Sequence, residues 1–256
     1  MNKTRTILIT GASGVVGSEL VSHFCSAGDV VVALAGSEES ADRLRQDLDP
    51  VSGKGSVEIV CIDLEAESGV DQVLRFLQSK ELRPEALING ARNLDHLKLR
   101  PDHTPSRENW LREFTLGIIA PYQLSIALQQ QAGSCLRAIV NLSSIYGLVA
   151  PNPALYADFS SESPVHYGVV KAALNHLTKE LSIRMVGAGI RVNTVTFGGV
   201  RGRANKEFEA RYNTMCPSGR MLDKHEIPGA VDFLLSAAAS GITGHNLVVD
   251  GGWTVW

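Results

Sequence analysis

The chain has 256 residues, 44% of them hydrophobic and 20% charged, with a formal net charge of −3. That composition excludes a fibrous or unfolded chain and provides enough apolar side chains for a sizeable core. It also excludes a basic field for nucleic acid, and no apolar run approaches the roughly 18 residues that a membrane span needs.

Met1-Asn2-Lys3-Thr4-Arg5 leads directly into an apolar run without a signal-peptide pattern, so a cytoplasmic protein is expected. Cys25, Cys61, Cys135 and Cys216 are scattered, with no C-x-x-C pair and no metal-ligand spacing. Reduced thiols and no metal site are expected. Short apolar runs predict strands at 6–10, 29–35, 57–62, 86–89, 136–142, 190–196 and 246–249. They lack hydrophilic alternation, as parallel strands covered on both faces do. Amphipathic stretches at 16–27, 40–49, 69–79, 110–131, 167–186 and 227–239 predict the helices between them. The alternation implies an α/β fold, a Rossmann-like doubly wound seven-stranded parallel sheet in three α/β/α layers. Residues 1–256 are expected to form a single dinucleotide-binding domain. Such sheets bind ligands beyond the carboxyl ends of their strands.

The first predicted strand runs into Thr10-Gly11-Ala12-Ser13-Gly14-Val15-Val16-Gly17 and then into a helix. Glycines let backbone N–H groups approach a pyrophosphate, and a helix N-terminus adds positive potential. In this strand–turn–helix context Gly11, Ser13, Gly14, Val15 and Val16 are expected cofactor contacts; a tight turn serving only the fold is the other reading. After the second strand no acid stands where one would hold an adenosine ribose, and the run reads Gly36-Ser37-Glu38-Glu39. Ser37 could bond a 2′-phosphate, while Glu38 and Glu39 would repel one if they turned inward. The expectation is NADP(H) in preference to NAD(H). Asp63 and Leu64 follow the third strand, and Asp63 either accepts from an adenine amine or caps a helix.

Tyr167 and Lys171 share one helix face at i and i+4. A neighbouring ammonium favours the phenolate and lowers a tyrosine pKa from ~10, which suits proton transfer at an alcohol or carbonyl oxygen. A solvated helix face is the plainer alternative.

Together these pieces resemble the short-chain dehydrogenase/reductase family over essentially the whole chain. The residues are the Gly-rich turn, Asp63, Asn89-Gly90-Ala91, Asn141-Leu142-Ser143-Ser144, Tyr167-x-x-x-Lys171, Arg191-Val192-Asn193 and Thr243-Gly244 with Val249-Asp250-Gly251-Gly252. The resemblance implies an NAD(P)-dependent oxidoreductase passing hydride between a nicotinamide and a carbonyl or alcohol carbon. It makes Tyr167 the proton donor or acceptor and Ser144 the group that polarises the substrate oxygen. Lys171 would lower the pKa of Tyr167 and bond the nicotinamide ribose. Asn89, Gly90, Ala91, Gly198 and Val200 join the expected cofactor contacts. A homodimer or homotetramer, paired through the helix bearing Tyr167, is also implied.

The chain departs from that family in places. Its turn is spaced T-G-x-x-G-x-x-G rather than T-G-x-x-x-G-x-G, so Val15 stands at the middle glycine. Arg92 replaces the last glycine of N-N-A-G, setting a long cationic side chain near the cofactor or substrate, where it either pairs with a phosphate or carboxylate or points to solvent, and the Pro-Gly pair after the sixth strand reads Phe197-Gly198. Gly117 falls where members carry an Asn supporting a water-linked proton relay, and Gly202 where a Thr would contact the nicotinamide amide. These losses keep a second reading open, a catalytically altered nucleotide-binding or regulatory protein. Ser144 and Tyr167 are 23 positions apart, about twice the family's usual spacing. The substrate loop of about 145–166 holds Tyr146, Tyr156, Asp158, Phe159 and Glu162, which suit a sugar or polyol or pack on one another. Its wording is similar to members of surface-polysaccharide or flagellin-glycan sugar synthesis. A lid of about 199–222 carries Arg201, Arg203 and Arg211, which grip a phosphate or carboxylate or stay solvated. His166 either touches substrate or packs inside, and Trp253 and Trp256 either meet a neighbouring subunit or fold back.

Overall fold

Seven strands pair in parallel: β1 (Thr6–Thr10), β2 (Val30–Ala35), β3 (Ser56–Cys61), β4 (Ala86–Asn89), β5 (Ala138–Ser144), β6 (Arg191–Phe197) and β7 (Asn246–Val249). Their order is β3-β2-β1-β4-β5-β6-β7, so the direction of winding reverses between β1 and β4. The computed structural model describes residues 4–48, 54–202 and 204–255. The helices are α1 (Val15–Ala27), α2 (Glu38–Asp47), α3 (Gly69–Ser79), α4 (Arg107–Phe114), α5 (Ala120–Gln130), α6 (Phe159–Glu162), α7 (Val165–Met185), α8 (Lys206–Met215) and α9 (Ile227–Leu235). Residues of α1, α2 and α9 join one apolar cluster, and those of α3, α5 and α7 join another. Within β1, Ile7 and Ile9 enter the first cluster and Leu8 the second. Both faces of the strand are therefore buried, which is why its sequence shows no polar alternation.

A row of polar side chains crosses the sheet where the register aligns Thr10, Asn89, Asn141 and Thr194. Asn89 Nδ2 donates to Asn141 Oδ1 at 2.8 Å, and Asn141 Nδ2 donates to Thr178 Oγ1 at 2.8 Å. Thr178 Oγ1 donates to the Leu174 carbonyl at 3.0 Å, so Thr194 is the donor in their 2.7 Å contact. All four are buried. Three strands are thus pinned to α7 through hydrogen bonds in a dry interior, where an unmade bond is costly.

Most boundaries shift by one or a few residues from the sequence expectation, and three of the differences have a clear local cause. Strand β2 begins after Asp29, because that buried carboxylate turns to Arg5 (Nη2 to Oδ2, 2.6 Å) instead of following the ladder. Strand β5 runs on to Ser144, since the β6 register continues through Ser143↔Thr196 and Ser144↔Phe197. The expected helix at 110–131 is broken by a π turn at Thr115–Ile119, where Ala120 N–H reaches back to the Thr115 carbonyl. Pro121 has no N–H to give Gly117 in regular α geometry, which favours the wider turn. Asp49, at the end of the expected second helix, lies outside the described residues. Among the described residues no helix is long and apolar enough to cross a membrane.

Thr178→Val removes the hydroxyl that both Asn141 and Thr194 use while keeping the shape. It should cost about 1–3 kcal/mol of stability, read from urea unfolding.

Candidate active site

The glycine turn leaves β1 with Gly11 at φ +68°, and Ala12 N–H is tied to the Leu34 carbonyl at 3.0 Å. Gly14 is the N-cap of α1 and supplies no side-chain cap. The first N–H groups of α1, on Val15 and Val16, have no partner inside the helix, an arrangement that suits an anion. A side chain at Gly17 would collide with the Gly11 carbonyl and with Ala12 Cα, so α1 lies tight against the turn. Val15 is simply the first helical residue, and the altered spacing still yields a closed turn at a helix start. Thr10 Oγ1 accepts from Gly90 N at 3.0 Å and Ala91 N at 3.1 Å, joining this turn to the one after β4 across the winding reversal.

At the end of β2, Ser37 is the N-cap of α2: its hydroxyl accepts from Ser40 N at 3.2 Å and donates to Ser40 Oγ at 3.0 Å. Glu38 and Glu39 occupy the first turn of that helix, Arg43 pairs with Glu39, and Arg45 pairs with Asp42 and lies 4.0 Å from Glu38. Asp63 caps the loop by accepting from Glu65 N at 2.9 Å, and Leu64 is buried. The Asn89 side chain is spent in the sheet, which leaves Gly90 and Ala91 as the backbone facing the crevice.

Tyr167 and Lys171 lie on the first turns of α7, which packs on β5 and β6. Lys171 is 8% exposed, and its ammonium donates to the Leu142 carbonyl at 2.9 Å. Its Nζ is 5.9 Å from the Tyr167 ring centroid. Two residues past Leu142, β5 ends in Ser144, whose hydroxyl accepts from Tyr146 N at 3.3 Å. The Tyr146 ring stands edge-on to Tyr167 at 6.4 Å, and its hydroxyl accepts from Tyr156 at 2.8 Å. Burial, then the Tyr156 hydrogen bond, pushes the Tyr146 phenol well up, so it stays a neutral hydroxyl. Burial also raises Tyr156. A parallel sheet with a nucleotide-type turn, a buried lysine beside a tyrosine and a serine ending the neighbouring strand now stand at one end.

The family model described as enoyl-(acyl carrier protein) reductase matches residues 11–254. The chain belongs to the short-chain dehydrogenase/reductase family. An uncharacterized short-chain type dehydrogenase/reductase of Sinorhizobium fredii is 34% identical over 97% of this chain, which spans only 43% of that relative. The galactitol 2-dehydrogenase (L-tagatose-forming) of Cereibacter sphaeroides is 27% identical over 97% of this chain and 94% of its own length. The short chain dehydrogenase of Leptospira borgpetersenii with bound NAD+ superposes with a TM-score of 0.84 at 28% identity, covering 98% of this chain and 93% of that one.

Against the family pattern, the glycine at position 117 has a local cause. A Cβ on Gly117 would collide with Val170 Cγ1, directly before Lys171. The room an asparagine would need is filled from α7, so the two positions are coupled. Gly202 has φ +97° and open space around it. Gly198 N–H holds the Val249 carbonyl at 2.9 Å, and Val200 bridges Leu222.

Several expected site residues are engaged elsewhere. Arg201 is locked to Glu209 (2.9 Å) and Asp223 (2.7 Å), Arg211 donates to the Leu155 carbonyl at 2.6 Å, and Arg203 lies outside the described residues. His166 is fully buried, 2.7 Å from the His96 carbonyl and against Trp110, so it is a core contact. Trp253 folds back and stacks on Tyr212 at 4.4 Å, while Trp256 lies outside the described residues. Two features had no sequence signal beyond residue type: the Tyr146–Tyr156 hydroxyl pair, and Arg92 seated over Tyr167.

Gly117→Asn should destabilise the protein by about 1–3 kcal/mol through overpacking. Adding Val170→Ala should recover most of that loss in thermal or urea unfolding.

Proposed function

We propose that the protein interconverts an alcohol and a carbonyl, with Tyr167 handling the proton, Lys171 and Ser144 beside it, and a nicotinamide cofactor in the glycine-turn crevice. The observation that carries this is the buried Lys171 ammonium, anchored on the Leu142 carbonyl one helical turn below Tyr167 and one strand-end from Ser144. The crevice fits the cofactor: an uncapped helix start awaits a pyrophosphate, and the Gly11–Gly17 contact lets backbone approach it. When bound, the cofactor supplies or accepts the hydride.

The chain's own residues then divide the work. Gly11, Ser13, Gly14, Val15 and Val16 line the diphosphate end, with Ser37, Asp63 and Leu64 at the adenosine end. Asn89, Gly90, Ala91, Gly198 and Val200 frame the nicotinamide end. Ser144 orients the substrate oxygen, and Tyr167 gives or takes its proton. Tyr146, held neutral, offers a hydroxyl instead of competing as a base. Residues 145–166 form the substrate loop and 199–222 the lid of a single domain, 1–256. The aromatic hydroxyls of that loop favour a sugar or polyol, including the surface-polysaccharide or flagellin-glycan branch, and the galactitol 2-dehydrogenase likeness supports the same reading.

For the cofactor, the local charges shift the sequence expectation from NADP(H) towards NAD(H). Ser37 is occupied as a helix cap, each nearby arginine already has a carboxylate, and Glu38 and Glu39 would repel a 2′-phosphate. Self-association as a homodimer or homotetramer in the cytoplasm completes the proposal. Exposed Leu111, Phe114, Ile119, Tyr122, Val165 and Val169 on α4, α5, α7 and the π turn supply an apolar face for it.

Tyr167→Phe should abolish turnover, by at least ~10²-fold, while cofactor affinity stays within twofold. A variant with full activity would remove Tyr167 from the reaction. Wild type that binds cofactor tightly yet turns over nothing in a carbonyl and sugar screen would favour the altered, regulatory reading raised by Gly117 and Gly202. Fluorescence titration should show NAD(H) bound at least tenfold more tightly than NADP(H); the reverse order would restore the Ser37 reading.

A further inference from the structure

Arg92 leaves the turn after β4 and sets its guanidinium over the Tyr167 ring, 4.3 Å from the centroid. The side chain is partly buried, and its Nε is shielded from solvent with no hydrogen-bond partner. The other cations around the crevice are spent: Lys171 on the Leu142 carbonyl, Arg211 on the Leu155 carbonyl, and Arg201 on Glu209 and Asp223. Among the described residues no carboxylate pairs with Arg92. The Nε–H has thus been drawn out of water without gaining an acceptor from the protein, which is costly for a charged group. An acceptor that arrives with the ligand would supply that partner.

Position narrows what that acceptor is. The cation sits over the ring whose hydroxyl meets the reacting oxygen, so it lies within one ring's width of the reaction centre. A group bound there hangs on the substrate close to the reacting carbon. A planar fork of N–H donors matches a carboxylate in a two-point contact, and the charge-assisted bond is the strong kind. We propose that Arg92 binds the substrate's carboxylate, which makes the substrate a hydroxy acid, the acid form of a sugar or polyol, and the product its oxo acid, or the reverse. The balance is simple: the hydroxy acid loses hydride to the oxidised cofactor and a proton to Tyr167, and its carboxylate is unchanged. Tyr146 and Tyr156 take further hydroxyls of the same molecule. This assignment rests on the reading of Tyr167 as the proton-transfer residue, and it adds a specificity element at the position that sequence comparison marks as a departure.

The test is a binding measurement, so that it does not depend on turnover. Wild type, Arg92→Gln, Arg92→Lys and Tyr167→Phe are titrated by calorimetry, with and without NADH, with 3-oxobutanoate and with its methyl ester. Wild type should bind the acid at least tenfold more tightly than the ester. Arg92→Gln should lose that preference with its NADH affinity and melting temperature unchanged, and Arg92→Lys should keep only part of it. Tyr167→Phe should keep the preference while turning over neither compound. Acid and ester bound alike by wild type, or a preference that survives Arg92→Gln, would overturn the proposal. So would an Arg92→Gln variant that binds NADH tenfold more weakly, since the partner would then be the cofactor's diphosphate. Tyr167→Phe retaining turnover would instead sink the reaction reading and leave the Arg92 result to stand on its own.

Discussion

The buried chain from Asn89 through Asn141 to Thr178, joined by Thr194, governs much of what this protein can do. Hydrophobic packing alone would hold α7 against the sheet, but apolar contacts are non-directional and tolerate sliding. Directional bonds at 2.7–2.8 Å do not. Thr178 lies about two turns beyond Lys171 on the same helix, so locking it to β5 and β6 also sets where the first turns of α7 meet the end of β5. The Lys171 bond to the Leu142 carbonyl is the downstream consequence. A buried ammonium is tolerated there because it has an oxygen to face.

The departures from the family pattern are more coherent in three dimensions than they look in one. Gly117 reads as a lost asparagine, yet Val170 already fills the space, and Pro121 sustains the π turn around it. The loss is therefore built into the packing of α7. Arg92 similarly reads as a lost glycine, but it has gained a position over the Tyr167 ring. The enlarged loop has its own interior: Tyr156 meets Phe159 and Phe208 edge-on, and Tyr146 completes a hydroxyl pair facing Tyr167. Cations that a linear reading assigns to ligand binding mostly hold the lid together instead, because nearby carboxylates and carbonyls reach them first.

Much was legible in the order of residues. Alternating apolar runs and amphipathic stretches determined the α/β class, because strands buried on both faces admit few polar side chains, as β1 shows. The glycine turn after β1, the Ser144 strand end and the Tyr167/Lys171 spacing were likewise visible, since each depends on residue type at a fixed local offset. What required the tertiary structure was everything carried between distant segments. Whether Ser37 is a free hydroxyl or a helix cap turns on how α2 begins. Whether His166 faces substrate or core turns on where Trp110 and His96 pack. Whether Arg92 points to solvent or over a tyrosine turns on the meeting of the β4 turn with α7, two elements more than seventy residues apart in sequence. Local propensity can be read one window at a time, but a contact between remote side chains is fixed only when the sheet register brings them together.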